Sequence, residues 1–270
     1  MDIDLFIPDL RQICRDAGDA IMTVYQRDDF DIQSKGDDSP VTAADLAAHH
    51  IIEKGLEQLN PTIPQLSEES EQISFEQRRE WPLFWCIDPL DGTKEFIRRN
   101  DEFTVNIALI RGATPIFGII HVPVTGVTYW GGERIGAWKA ENDGSVHAIH
   151  SRTLGNTLTL TASRRHGQEH NDALLQQLAS RFQQVDTLQH GSSLKMCLIA
   201  EGKADLYPRL FPTSEWDTAA AQAIVEAAGG KLVDATSLQP LRYNQRESLT
   251  NPFFYVVGDP AFPLEELTAG

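Results

Sequence analysis

Apolar residues recur at helical spacing through much of the first sixty positions. Leu10, Ile13, Ala17, Ile21 and Val24 stand three or four apart, which predicts an amphipathic helix over residues 8–26 with one buried stripe, and Pro8 suits its first turn. The stretch 35–40 is polar and contains Gly36 and Ser39-Pro40, so it reads as a loop. Thr42-Ala43-Ala44-Asp45 then has capping-box-like spacing and predicts a second helix, with Leu46, Ile52, Leu56 and Leu59 as its buried stripe.

Beyond Pro61 and Pro64 the period shortens. Residues 83–87 are continuously apolar and bounded by Pro82 and Pro89, the pattern of a strand buried on both faces that delivers Asp88 to its end. Segments 104–110, 116–122 and 127–130 are rich in β-branched and aromatic residues between Gly and Pro turns, and predict an antiparallel sheet. After Ser151 strands and helices alternate: strand 157–161, helices 172–181 and 192–201, strand 205–207, helix 217–228, strands 231–233 and 253–257. The fold class is therefore α/β in the broad α+β sense, with an α+β domain over 1–152 and an α/β domain over 153–270. Neither an internal repeat nor a low-complexity segment interrupts it.

Charge narrows the range of partners. Against 23 Lys and Arg stand 39 Asp and Glu, a formal charge of -16, which repels the phosphate backbone of DNA or RNA. A small anionic substrate stays compatible with this balance if bound divalent cations reverse the field locally. The N-terminus MDIDLFIPDL lacks the features of a secretory signal and no stretch reaches membrane-spanning length, so the expected location is cytoplasmic. Cys14, Cys86 and Cys197 are odd in number and set among apolar neighbours, as reduced core thiols are.

The chemistry-bearing signal is Asp88-Pro89-Leu90-Asp91-Gly92-Thr93, directly after the buried strand. Two carboxylates three residues apart, stiffened by proline, suit one hard cation, and the Leu90 carbonyl adds a neutral oxygen. Gly92 lets a ligand approach the backbone, and a helical turn opening at Thr93 would hold a phosphate on its free amides. The plainer alternative is an Asx turn with Gly92 at positive φ. Glu68-Glu69 alone reads as solvated surface, Asp217 as the N-cap of an Ala-rich helix, and Asp45 as a capping residue. Together, acids placed after apolar runs or at helix starts make the oxygen-rich set that magnesium requires.

Trp85-Cys86-Ile87-Asp88-Pro89-Leu90-Asp91-Gly92-Thr93, with Ser67-Glu68-Glu69 upstream and Trp216-Asp217-Thr218-Ala219-Ala220 downstream, resembles the inositol monophosphatase superfamily of lithium-sensitive phosphatases over nearly the whole chain. Lys94-Glu95-Phe96, Gly191-Ser192-Ser193-Leu194-Lys195 and the segment from Lys35 through Asp37, Ser39-Pro40-Val41-Thr42 to Ala44-Asp45 resemble its 3'(2'),5'-bisphosphate nucleotidase branch, the CysQ type. Ser67 replaces a glycine common among relatives.

The resemblance implies a layered αβαβα sandwich. It also implies magnesium-dependent hydrolysis of adenosine 3',5'-bisphosphate to AMP and phosphate, by in-line attack of metal-activated water with no phosphoenzyme. Two or three magnesium ions would be held by Glu68, Asp88, the Leu90 carbonyl, Asp91 and Asp217. Thr93 and Asp45, with Glu68, would orient and deprotonate the water. Glu68, Leu90, Asp91, Gly92, Thr93 and Asp217 would surround the transferring phosphate, while His166, Ser192, Lys195 and Arg209 would contact the ribose and the remaining phosphate. Without the family context, Lys195 reads as a snorkelling surface lysine and His166 as a loop histidine.

The same likeness leaves a phosphatase of inositol or sugar phosphates as the competing enzyme, and a catalytically inactive nucleotide- or metal-binding module as the competing class. It implies no obligatory membrane contact, allows peripheral association with the cytoplasmic face of the inner membrane, and fits a monomer or a homodimer.

Overall fold

The computed structural model describes residues 3–27, 33–34, 40–70, 73–162 and 177–267. Helix α1, Ile7–Tyr25, buries Leu10, Ile13, Ala17, Ile21 and Val24, the stripe that periodicity predicts. Helix α2, Ala43–Leu59, is capped by Thr42, but its buried face is Ala44, Asp45, Ala48, His49, Ile52 and Leu56. Leu46 is exposed, contrary to expectation. At about 100° per residue it lies some 120° from Ile52 around the helix, so both cannot face the core.

Both helices cover one face of a seven-stranded sheet whose strands lie side by side in chain order: β3, Gln65–Ser67; β4, Leu83–Asp91; β5, Thr104–Arg111; β6, Thr114–Val122; β7, Val127–Gly132; β8, Gly136–Ala140; and β9, Val146–Ala148. The pairings from β4 onward are antiparallel, as expected, whereas the short edge strand β3 adds to β4 in parallel. The continuous apolar run of β4 has the predicted consequence: Trp85 and Ile87 pack towards α1 and α2, and Phe84 and Cys86 pack on the opposite side.

That opposite side meets two helices, α5 (Leu194–Ala200) and α6 (Glu215–Ala227), through Met196, Cys197, Ala219, Ala220 and Ile224. Gly118 on β6 lies so close to α6 that a Cβ there would stand 2.1 Å from the Ala220 carbonyl oxygen. Beyond these helices is a five-stranded mixed sheet in the order β11-β10-β12-β14-β13. Its strands β10 (Thr157–Ala162), β12 (Leu206–Arg209), β13 (Lys231–Asp234) and β14 (Phe254–Val257) lie near the expected positions. The edge strand β11, Gln184–Gln189, is polar and largely exposed, which hides it from any hydrophobic pattern. Val256 faces the central helices while Tyr255 and Val257 face an outer layer containing Leu178, Phe262 and Leu264. The layer order is α, β, α, β, α.

The helix expected over 172–181 lies partly outside the described residues; 177–179 are helical. The first sheet ends at Ala148 and the second begins at Thr157. All three cysteines are buried free thiols. Among the described residues no helix is long and apolar enough to cross a membrane.

Candidate active site

In a regular strand, residues three apart face opposite sides. Asp88 and Asp91 escape this rule because the pairing of β4 with β5 is irregular between them. Pro89 interrupts the ladder there, and the Leu90 amide donates to Asp88 Oδ1 at 3.0 Å, an Asx turn. Gly92 follows at φ +97°, and the five-residue helix α4, Thr93–Ile97, starts immediately after it. The turn aims the two carboxylates at a common point. A carboxylate oxygen of each of Asp88, Asp91 and Asp217 lies within 4.8 Å of the others.

Asp217 reaches that point from α6. The helix begins at Glu215 with Ser214 as its cap, so Asp217 is the third helical residue and not the expected N-cap. Its Oδ2 accepts from the Ser214 amide at 2.8 Å. Asp45 occupies the same position in α2. Its Oδ2 accepts from the Thr42 amide at 2.8 Å and from Thr42 Oγ1 at 2.6 Å, while Oδ1 accepts from Thr93 Oγ1 at 3.1 Å. Capping and contact with Thr93 are therefore simultaneous, one oxygen to each.

Glu68 follows β3, and its amide donates to the Ile87 carbonyl at 3.1 Å, which holds it beside the end of β4. Glu68, Asp88, Leu90, Asp91, Gly92, Thr93 and Asp217 line one cleft. Burial, followed by the charges of Glu68, Asp91, Asp217 and Asp45, holds the Asp88 carboxyl well above its usual pKa. Burial, with Asp91 and Glu68 nearby, pushes Asp217 up to about 8. Buried acids that repel one another suit a bound positive charge, and an all-oxygen donor set fits a hard divalent cation such as magnesium.

A second cavity of about 640 Å³ opens from the same point and shares Asp91, Gly92 and Asp217 with the cleft. Ser192, Lys195 and Arg209 line it, joined by Lys94, Arg98 and Tyr207. Lys195 is no surface lysine: it is 4% exposed, its Nζ donates to the Ser192 carbonyl at 2.7 Å, and it sits 5.4 Å from the centre of the Tyr207 ring. His166 lies outside the described residues.

Motif reading passed over three supporting residues. The Ser193 amide and hydroxyl donate to Asp91 Oδ2 at 2.6 and 2.7 Å, and Asn106 Nδ2 donates to Ser193 Oγ at 2.9 Å. Glu102 Oε2 accepts from the Gly191 amide at 2.9 Å. Ser193 stands inside the Gly191–Lys195 string, between the residues expected to meet substrate. Asn106 acquires its place only through sheet register, opposite Asp88, and carries no local signal.

The chain matches the inositol monophosphatase family over residues 4–256. It is 48% identical over 246 residues to the 3'(2'),5'-bisphosphate nucleotidase CysQ of Escherichia coli strain K12, covering 91% of this chain and 96% of that protein. Among solved structures, CysQ from Bacteroides thetaiotaomicron superposes with a TM-score of 0.82 at 38% identity, over 94% of this chain and 98% of that one. An inositol monophosphatase from Anabaena sp. PCC 7120 superposes at 0.75 with 22% identity, over 99% and 95% of the two chains, a likeness of fold alone.

Proposed function

Because the chain belongs to the inositol monophosphatase family and is a phosphoric monoester hydrolase, we propose that it acts as a 3'(2'),5'-bisphosphate nucleotidase, converting adenosine 3',5'-bisphosphate to AMP and phosphate. One observation carries this reading: the cleft where Asp88, Asp91 and Asp217 converge continues into a cavity that presents the buried ammonium of Lys195. A substrate with two phosphates has a use for both, one at the carboxylates and one at the lysine, whereas a single phosphate leaves the second cavity without an anion.

Glu68, Asp88, the Leu90 carbonyl, Asp91 and Asp217 would hold two or three magnesium ions. When bound, magnesium neutralises the phosphate oxygens and lowers the pKa of the attacking water. The chain's own groups supply the geometry. Asp45 Oδ1 takes the Thr93 hydroxyl proton in a hydrogen bond, which leaves the Thr93 oxygen free to accept from the water. As the water oxygen bonds to phosphorus, its proton passes towards Thr93 and the Thr93 proton towards Asp45. The bond to the 3' oxygen breaks in line, its electron pair stays on that oxygen, and a proton from solvent water completes the 3'-hydroxyl of AMP. Gly92 and the first turn of α4 receive the phosphate oxygens, and Ser192, Lys195 and Arg209 receive the ribose and the 5'-phosphate; by family resemblance His166 is a further proposed contact. The setting is cytoplasmic, where reduced thiols persist.

The test is a phosphate-release panel in magnesium with adenosine 3',5'-bisphosphate, inositol 1-phosphate and fructose 1,6-bisphosphate. The nucleotide is expected to lead in kcat/KM, and preference for inositol 1-phosphate would overturn the reading. Lys195→Ala removes a charge-assisted contact, so kcat/KM for the nucleotide should fall by about 10- to 100-fold while that for inositol 1-phosphate changes little. Equal losses on both substrates would refute the role of Lys195. Millimolar lithium is expected to inhibit.

A further inference from the structure

We propose that His49, His50 and Glu53 of α2 form a second metal site, of the type that takes zinc, separate from the carboxylate cage and independent of the activity argued above. Candidate donor atoms of the three residues all lie within 4.8 Å of one another. His49 and Glu53 are four apart, hence on one helix face, with Nε2 and Oε2 4.0 Å apart.

Two further observations mark the place as built for a ligand. His49 is only 7% exposed, and its Nδ1 meets Ser67 Oγ at 3.1 Å. A hydrogen bond on one ring nitrogen is how a ligating histidine is held with the other nitrogen directed at the ion. Gln65 Nε2 donates to the Glu53 carbonyl at 3.0 Å, which fixes its amide, and its buried Oε1 has no hydrogen-bond partner among the described residues. Gln65, His49 and Glu53 line the same shallow cavity.

Donor chemistry separates the two centres. Two imidazoles and a carboxylate match a borderline cation such as zinc or cobalt, whereas the oxygen-only cage at Asp88 matches magnesium. Bonds of about 2.0–2.2 Å in a tetrahedral array require the 4.0 Å pair to close slightly, and the Glu53 side chain, 54% exposed, has the freedom to turn. Through the His49–Ser67 contact, an ion here would tie α2 to the end of β3, one residue before Glu68.

The experiment titrates the full chain with zinc chloride in excess magnesium, by calorimetry, and repeats the titration with cobalt, whose visible bands report tetrahedral coordination. One equivalent of zinc is expected to bind the unaltered chain and Asp217→Asn alike. His50→Ala and Glu53→Gln alter exposed side chains and should leave the circular dichroism unchanged. Each should weaken zinc by about tenfold or more and abolish the cobalt bands. Absence of zinc binding in the unaltered chain, equal affinity in the His50 and Glu53 variants, or loss of binding in Asp217→Asn would each overturn the proposal.

Discussion

Two of the carboxylates at the site divide their oxygens between structure and chemistry. Asp45 and Asp217 each occupy the third position of a helix and give one oxygen to the cap amide; the other oxygen of Asp45 accepts from Thr93, and Asp217 lines the cleft. A side chain held in this way is oriented before any ligand arrives, with little rotamer freedom left to lose. Asp45→Asn separates the two duties. Its amide oxygen still accepts from the Thr42 amide, so the unfolding temperature should move by only a few degrees, but the NH2 group it turns to Thr93 donates where the carboxylate accepted. Turnover is expected to fall by about 10²- to 10⁴-fold with little change in KM. Steady-state kinetics beside a thermal melt would check this, and unchanged turnover would reduce Asp45 to a cap.

Among the elements, α6 links core to site. Its small residues, Ala219, Ala220 and Ala223, allow it to lie directly on the first sheet, and its first turn carries Asp217. Gly118→Ala sets a methyl group against the Ala220 carbonyl, a contact of 2.1 Å between groups that cannot rotate away. Overpacking of this kind costs about 1–3 kcal/mol, and the helix must lift to relieve it. The expected outcome is a melting temperature lower by several degrees together with a higher half-saturating magnesium concentration. A stability loss without any change in the magnesium requirement would mean that Asp217 is placed by its cap alone. The elements themselves were largely readable. Period 3.6 gave α1, continuous burial gave β4, and capping chemistry gave the start of α2. Where reading failed, the local sequence carried a different signal: β11 is a polar edge strand, and Leu46 is a leucine turned to solvent.

For the molecule as a whole, a buried acidic cluster makes stability depend on pH in an unusual direction. Asp217 in the folded chain holds its proton to about 8, against 3.8 for the free side chain, and Asp88 is displaced the same way. The folded state therefore binds more protons than the unfolded state across this window, so metal-free protein should lose stability as pH rises from about 4 to 8. On the proposed function, magnesium would replace those protons. The rise in melting temperature on adding it should be larger at pH 8 than at pH 6, and Asp217→Asn should flatten both dependences while stabilising the metal-free chain at pH 8. Melts with chelator and with magnesium across this range would show it; an increment independent of pH would argue against protons and metal sharing the cluster.

The sequence by itself determined the local chemistry: which residues could cap, turn or ligate, and which segments had to be buried, because these depend on side-chain type and spacing over a few positions. Convergence was decided only by tertiary structure. Asp45, Glu68, the Asp88/Asp91 pair of β4 and Asp217 come from separate parts of the chain, and Asn106, Ser193 and Glu102 gained their supporting places from sheet register and layer packing. No short-range pattern encodes contacts between positions a hundred residues apart, since they exist only once the apolar faces of both sheets have closed on the helices between them.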